Sequence, residues 1–234
     1  MIKRLQKLGV VLALFGLAFV LAGGYAFIKV QDGSKALTAF SAAQAVKLTY
    51  NDQGQLTSGG TTDEATAIMN LLTNDWGYVV DKAEFNPADP TVNTASEYMF
   101  QMATISYHTL TSTQSVTLTA DYTAPDGTFY AAGTAIPFKV DGRYYSQFDR
   151  SDPVQAAARG LAWSPTALAL VGELGVGAAT ASSLQMGLGV AATVGGLGFV
   201  FFFAGLGLVW AVRPELATAK ARSFQPAMVT AILP

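Results

Sequence analysis

His108 is the only histidine of this chain, and there is no cysteine. Thiol nucleophiles, thiolate zinc sites and disulfides are therefore excluded, and imidazole chemistry must pass through one residue. Met99 and Met102 precede His108 on what reads as a single helix. Thioether and imidazole donors in that order are the candidate ligands for a copper ion. Methionine at helical spacing is more often a core filler, so no metal is assigned. A Ser-His-Asp arrangement would have to recruit His108, but no serine sits in a G-x-S-x-G turn. Asp149 and Asp152 are spaced like loop and cap residues, not like a matched acid–base pair. No phosphate loop, dinucleotide fingerprint, EF-hand or H-E-x-x-H stretch occurs. No catalytic or cofactor-binding residue is assigned, no cofactor is expected, and a non-enzymatic role is expected.

The elements that would position any site are set by an uneven charge distribution. Of the 234 residues, 51% are hydrophobic and 13% charged, against roughly 25% charge in a typical soluble domain. The deficit lies at the two ends. Leu8–Ile28 carries no charge and is long enough, at 1.5 Å per residue, to cross a hydrocarbon core of about 30 Å. Lys3, Arg4 and Lys7 precede it, which places the N-terminus in the cytoplasm. A cleaved signal peptide is the rival reading. The run exceeds the usual apolar core of such a peptide, and no clean A-x-A site follows. The second run, Leu184–Val212, is followed by Arg213, Lys220 and Arg222 against the single acid Glu215, so the C-terminus is also expected inside. Tyr25 and Trp210 stand where interfacial aromatics belong. The parse is a cytoplasmic N-terminus (1–7), a first span (8–28), an extracytoplasmic domain (29–160), an interfacial segment (161–183), a second span (184–212) and a cytoplasmic tail (213–234).

Both spans are rich in small residues. Gly9, Gly16 and Gly23 recur every seven residues, and Gly187, Ala191 and Gly195 form a small-xxx-small ridge that Gly198 and Gly205 extend. Such residues let helix backbones approach where lipid offers no hydrophobic drive. The pattern predicts tight packing, either between the two spans or against other subunits.

Between the spans the expected fold is α+β, with helices first and a small antiparallel meander after. Asp32–Val46 reads as a helix with Leu37, Phe40 and Ala43 on its apolar side. Lys47–Tyr50 alternates like a strand and is followed by a turn at Asn51–Gly54. Thr61 with Glu64, and Thr94 with Glu97, are capping boxes that open helices to about Thr73 and His108. Tyr98, Met102 and Ile105 are expected on the buried face of the second. Ser115–Tyr122, Thr128–Ala132, Ile136–Val140 and Tyr144–Phe148 are expected strands, with turns at Asp126-Gly127 and Asp141-Gly142. Asp152-Pro153 starts a further helix.

From Asp32 to Asp152 there are fourteen acids and six bases, a net charge of −8. Nucleic acid and anionic lipid are poor partners for that surface. Tyr144, Tyr145, Phe148 and Trp163 are candidate contact residues, since tyrosine and tryptophan anchor interfaces and core packing alike. Leu168, Leu170, Val171 and Leu174 give the interfacial segment its apolar character, and Glu173 is its one acid. A carboxylate at membrane depth needs a partner or water and would be a functional candidate; at headgroup level it is ordinary. Phe224–Pro234 is apolar and uncharged, unlike a free cytoplasmic tail.

The segment Trp76–Leu110, WGYVVDKAEFNPADPTVNTASEYMFQMATISYHTL, and the later Val140–Ser164, VDGRYYSQFDRSDPVQAAARGLAWS, resemble uncharacterised actinobacterial two-span membrane proteins. More distantly they resemble the small accessory subunits of actinobacterial respiratory supercomplexes. The resemblance implies an accessory or stabilising role beside a larger integral membrane complex, and it supplies no catalytic residues. The alternative expectation is an extracytoplasmic module of the cell envelope that binds a lipid or small molecule, recognisable by an apolar pocket of several hundred Å³.

Overall fold

A computed structural model describes residues 2–213. All of the expected tail except Arg213, including Phe224–Pro234, lies outside the described residues. The elements are α1 (Ile2–Gln44), β1 (Thr49–Tyr50), β2 (Leu56–Thr57), α2 (Thr62–Asn70), α3 (Ala95–Thr111), β3 (Thr113–Thr117), β4 (Tyr122–Thr123), β5 (Phe129–Tyr130), β6 (Ala135–Lys139), α4 (Pro153–Ala162) and α5 (Pro165–Ala211). The chain divides into two compact units. One comprises the residues up to Ser34 together with those from Leu184 onward; the other is Lys35–Ser183.

α1 and α5 are far longer than the apolar runs they contain, at 43 and 47 residues. Neither holds an internal proline, so nothing in the backbone ends the helix where the hydropathy changes. The expected helix over 32–46 is accordingly the end of α1, which stops where Ala45 takes a left-handed conformation (φ 54°). The expected separate interfacial segment over 161–183 takes another form. Its first residues end α4, and from Pro165 onward it is the opening of α5, with Pro165 at the first helical position and Ser164 Oγ accepting from Ala167 N (3.2 Å). Its Leu174, Ala178 and Ala181 are buried in the core of the second unit.

Both α1 and α5 are long and apolar enough to cross a membrane, and only 11% of the most apolar window of each is buried. A core helix of a soluble protein would hide most of that surface. In the first unit the two helices run antiparallel with their glycines face to face. A Cβ on Gly9 would lie 2.8 Å from Gly205 O, and one on Gly198 would lie 2.6 Å from Val20 N. A Cβ on Gly23 would lie 2.6 Å from Gly195 N and 2.9 Å from Ala191 O. Seven residues forward on α1 thus match seven back on α5, which keeps one side of each helix against the other. The seam loosens after Gly23: Gly33 faces the Leu184 side chain (2.7 Å) and Gly187 faces Val30 (2.9 Å), so side chains replace backbone as the opposing surface. The predicted tight packing is therefore made within the chain by Gly9, Gly16, Gly23, Ala191 and Gly195. Phe19 and Phe201 add a ring contact at 6.2 Å.

The second unit is α+β, as expected, but its strands do not form a meander. The sheets are two-stranded, pairing β1 with β2, β3 with β6, and β4 with β5. The last two pairs are nested and share one register, Thr117 opposite Ala135 and Tyr122 opposite Tyr130. They form one interrupted ribbon that turns at Gly127 (φ 86°) and kinks at Gly133 (φ 82°). Tyr144–Phe148, expected as a strand, is a short 3₁₀ turn ending at Gln147, because Asp141 and Gly142 both take positive φ and turn the chain away from β6.

Thr94 and Glu97 form the predicted capping box of α3. Thr61 caps α2, but Glu64 does not reach back; its carboxylate takes Ser58 and His108 instead. Two cores result. One gathers Leu48, Ile68, Leu72, Val92, Phe100 and Ala103 with Leu174 and Ala178 of α5. The other places the ribbon residues Val116, Ile136 and Val140 against Phe148, Val154, Ala158 and Trp163.

A leucine at Gly16 would meet the backbone of Phe202, which cannot move aside as a side chain can. Gly16→Leu is expected to destabilise the protein by about 1–3 kcal/mol. Gly24→Leu, at a position with open space beside it, is expected to change stability by less than about 0.5 kcal/mol. Thermal unfolding of both variants in detergent checks this, and equal effects would refute the backbone seam.

Candidate functional site

α1 contributes Leu37, Phe40, Ser41 and Gln44 to one wall of a cavity of about 640 Å³ in the second unit. The opposite wall is the opening of α5, with Leu170, Glu173, Leu174, Val176, Gly177 and Thr180. Tyr98, Gln101 and Ile105 of α3 form the floor with Val46 and Val92. Ligand pockets in proteins commonly span about 300–1,000 Å³ and are mostly apolar, as this one is.

Tyr98 holds the three helices together here. Its ring fills the space a side chain would need at Gly177, whose ideal Cβ lies 2.5 Å from Tyr98 Cε1. Its hydroxyl shares a hydrogen bond with Ser41 Oγ (2.6 Å), and Ser41 also donates to Leu37 O (2.9 Å). Both residues are buried, so this polar pair is satisfied internally and leaves Gln101 as the polar side chain of the floor. The rim is different. Phe40, Leu170 and Val176 are exposed apolar side chains, the last 67% exposed, and Gln44 and Glu173 are exposed polar ones.

Glu97, at the start of α3, is 1% exposed. Its Oε2 accepts from the backbone N–H groups of Asn93 and Thr94, both at 3.0 Å. Burial pushes its carboxyl above the usual range, and these hydrogen bonds only partly offset the desolvation. Tyr50 is raised as well, first by burial and then by the Glu97 charge, and its hydroxyl is buried with no hydrogen-bond partner among the described residues.

The metal candidates do not converge. Met99 and Met102 pack against the first core, Met102 Sδ lying 3.8 Å from the Cβ position of Gly175. His108 stands apart from that core, 3.1 Å from Glu64 Oε1 in an open polar cleft with Asp63, Tyr107 and Thr111. Among the described residues, no group of three His, Cys, Asp or Glu side chains could hold a metal ion.

The aromatic contact candidates are corrected in part. Phe148 and Trp163 are core, at 4% and 5% exposure. Trp163 Nε1 donates to Arg143 O (3.0 Å) and its ring stacks on Tyr144 at 6.0 Å. Tyr144 accepts from Trp76 Nε1 (2.7 Å), and Tyr145 carries the Arg159 guanidinium over its ring at 4.7 Å. Tyr144 and Tyr145 retain partial exposure; Phe148 and Trp163 have no free face to offer.

The cavity residues were visible in the sequence as separate signals: Leu37 and Phe40 on one helix, Tyr98 and Ile105 on another, Leu170, Glu173 and Leu174 in the apolar segment. Gln44 and Gln101 carried no signal, since single glutamines mark nothing until a cavity forms beside them. Comparison with protein-family models, curated proteins and solved structures finds no match.

A raised carboxyl in the folded state gives Glu97 a stability contribution that is complete below its unfolded value and lost as pH rises through the folded one. Wild type is therefore expected to lose stability relative to Glu97→Gln as pH is raised from about 4 toward neutrality. Melting curves of both proteins across that range give the difference; a pH-independent gap would show that Glu97 does not titrate in this way.

Proposed function

We propose that this is a two-span membrane protein with both termini in the cytoplasm, whose α+β domain lies outside and binds an apolar small molecule, most simply a lipid chain. The observation that carries the reading is the apolar cavity of about 640 Å³ between α1, α3 and α5. Two of its walls are parts of α1 and α5, the helices that also hold the apolar runs. The exposed apolar rim supports it: Phe40, Leu170 and Val176 leave much of their apolar surface open beside the cavity, as entry residues do. Side and orientation rest on the basic residues flanking both runs.

A second reading has a specific observation in its favour. Gly24, Gly189, Gly196 and Gly207 have nothing within 4 Å of their Cβ positions, so the first unit keeps small-residue faces after the internal seam is made. Such faces admit another helix closely, in keeping with a non-catalytic accessory subunit of a larger membrane complex, respiratory or otherwise. Copurification of one larger membrane protein in mild detergent, lost on Gly196→Leu, tests it.

For the leading reading, native mass spectrometry of the purified full chain is expected to show bound lipid-mass adducts. Ile105→Trp, which fills the cavity from α3, is expected to lose most of them while the protein remains folded. Adducts unchanged by the substitution would sink the cavity as their site. For orientation, the chain lacks cysteine, so Gln53→Cys in the exposed turn after β1 is a unique label site. It is expected to react with a membrane-impermeant maleimide on intact cells; protection until lysis would invert the topology.

A further inference from the structure

We infer that the ligand held between α1, α3 and α5 is an amphiphile whose head group donates hydrogen bonds and bears no negative charge, an inference that rests on the apolar-ligand reading above. The polar part of the cavity lining decides this. Ser41, Tyr98 and Thr180 are already engaged, Ser41 and Tyr98 with each other and Thr180 Oγ1 with Val176 O (2.8 Å). Gln44, Gln101 and Glu173 are different: each belongs to the lining, and no hydrogen bond or ion pair within the described residues engages them. They come from α1, α3 and α5 respectively, so a head group among them touches all three walls.

The chemistry of these three groups is asymmetric. An ionised carboxylate only accepts hydrogen bonds, while the two amides accept and donate. A head group rich in hydroxyls satisfies all of them. A carboxylate or phosphate head would set a like charge near Glu173, and no described lining residue is basic. The wider surface acts in the same sense, with fourteen acids against six bases from Asp32 to Asp152. A cavity meant for anionic amphiphiles places lysine or arginine at its mouth; this one places a glutamate.

The test uses the full-length protein in phosphatidylcholine nanodiscs and three probes that share one oleoyl chain: monooleoylglycerol, oleate and lysophosphatidylglycerol. Displacement of tritiated monooleoylglycerol gives relative affinities. Monooleoylglycerol is expected to bind at least about tenfold more tightly than either anion, a factor equivalent to ~1.4 kcal/mol. Glu173→Gln is expected to narrow that gap by weakening the exclusion of oleate, and Glu173→Lys to reverse the order. Equal binding of the three probes, or a preference for an anion in the wild type, overturns the inference while leaving the cavity as a lipid site. Failure of all three to bind overturns the apolar-ligand reading itself. An unchanged preference in Glu173→Lys overturns the assignment of selectivity to that carboxylate.

Discussion

Tyr98 is the contact on which the second unit depends. Its ring occupies the volume vacated by the missing side chain of Gly177, and its hydroxyl is bound to Ser41. One side chain thereby fixes α3 against both α1 and α5. The arrangement is demanding. A larger residue at Gly177 would have to displace the ring, and loss of either hydroxyl would leave a buried polar atom with one bond fewer. With the three helices pinned at Tyr98, their neighbouring residues cannot close on one another completely. Leu37 and Ile105 pack against the first core on one side and, with Leu170, border a space on the other. The cavity follows from where the helices are tied together and where they are not.

The first unit solves a different problem by related means. Its helices have almost no polar side chains to exchange, and a bilayer would remove the hydrophobic incentive to associate. Glycines at a seven-residue interval let the backbones themselves supply the contact, so dispersion between main chains replaces side-chain interdigitation. Both units therefore use absent side chains as receptors. In one case a backbone fills the vacancy, in the other a tyrosine ring does.

Much of this was legible locally. Apolar run length, basic flanks, glycine spacing, the cap at Thr61, the capping box at Thr94, and the turns at Asp126-Gly127 and Asp141-Gly142 depend on residues within a few positions of each other; the structure reproduces the Thr94 box and both turns, and keeps Thr61 as a cap without the reciprocal bond from Glu64. What failed was pairing at a distance. Sequential strands read as a meander because each alternates on its own, yet Thr117 pairs with Ala135 and Tyr122 with Tyr130, which makes one ribbon. Trp163 and Phe148 read as contact residues because their chemistry suits an interface, and only the neighbours around them show that they are core.

The sequence by itself determined the long apolar helices, the α+β composition of the part between them, the caps and turns, and the absence of cysteine chemistry, because each is written in residue type and local period. Only the tertiary structure decided that the glycine ridges meet within the chain, that the apolar segment before the second run belongs to a domain core, and that Gln44, Gln101 and Glu173 border one cavity. Those facts depend on the approach of residues more than fifty positions apart. Such approaches are set by the collective packing of whole elements, and no local spacing encodes them.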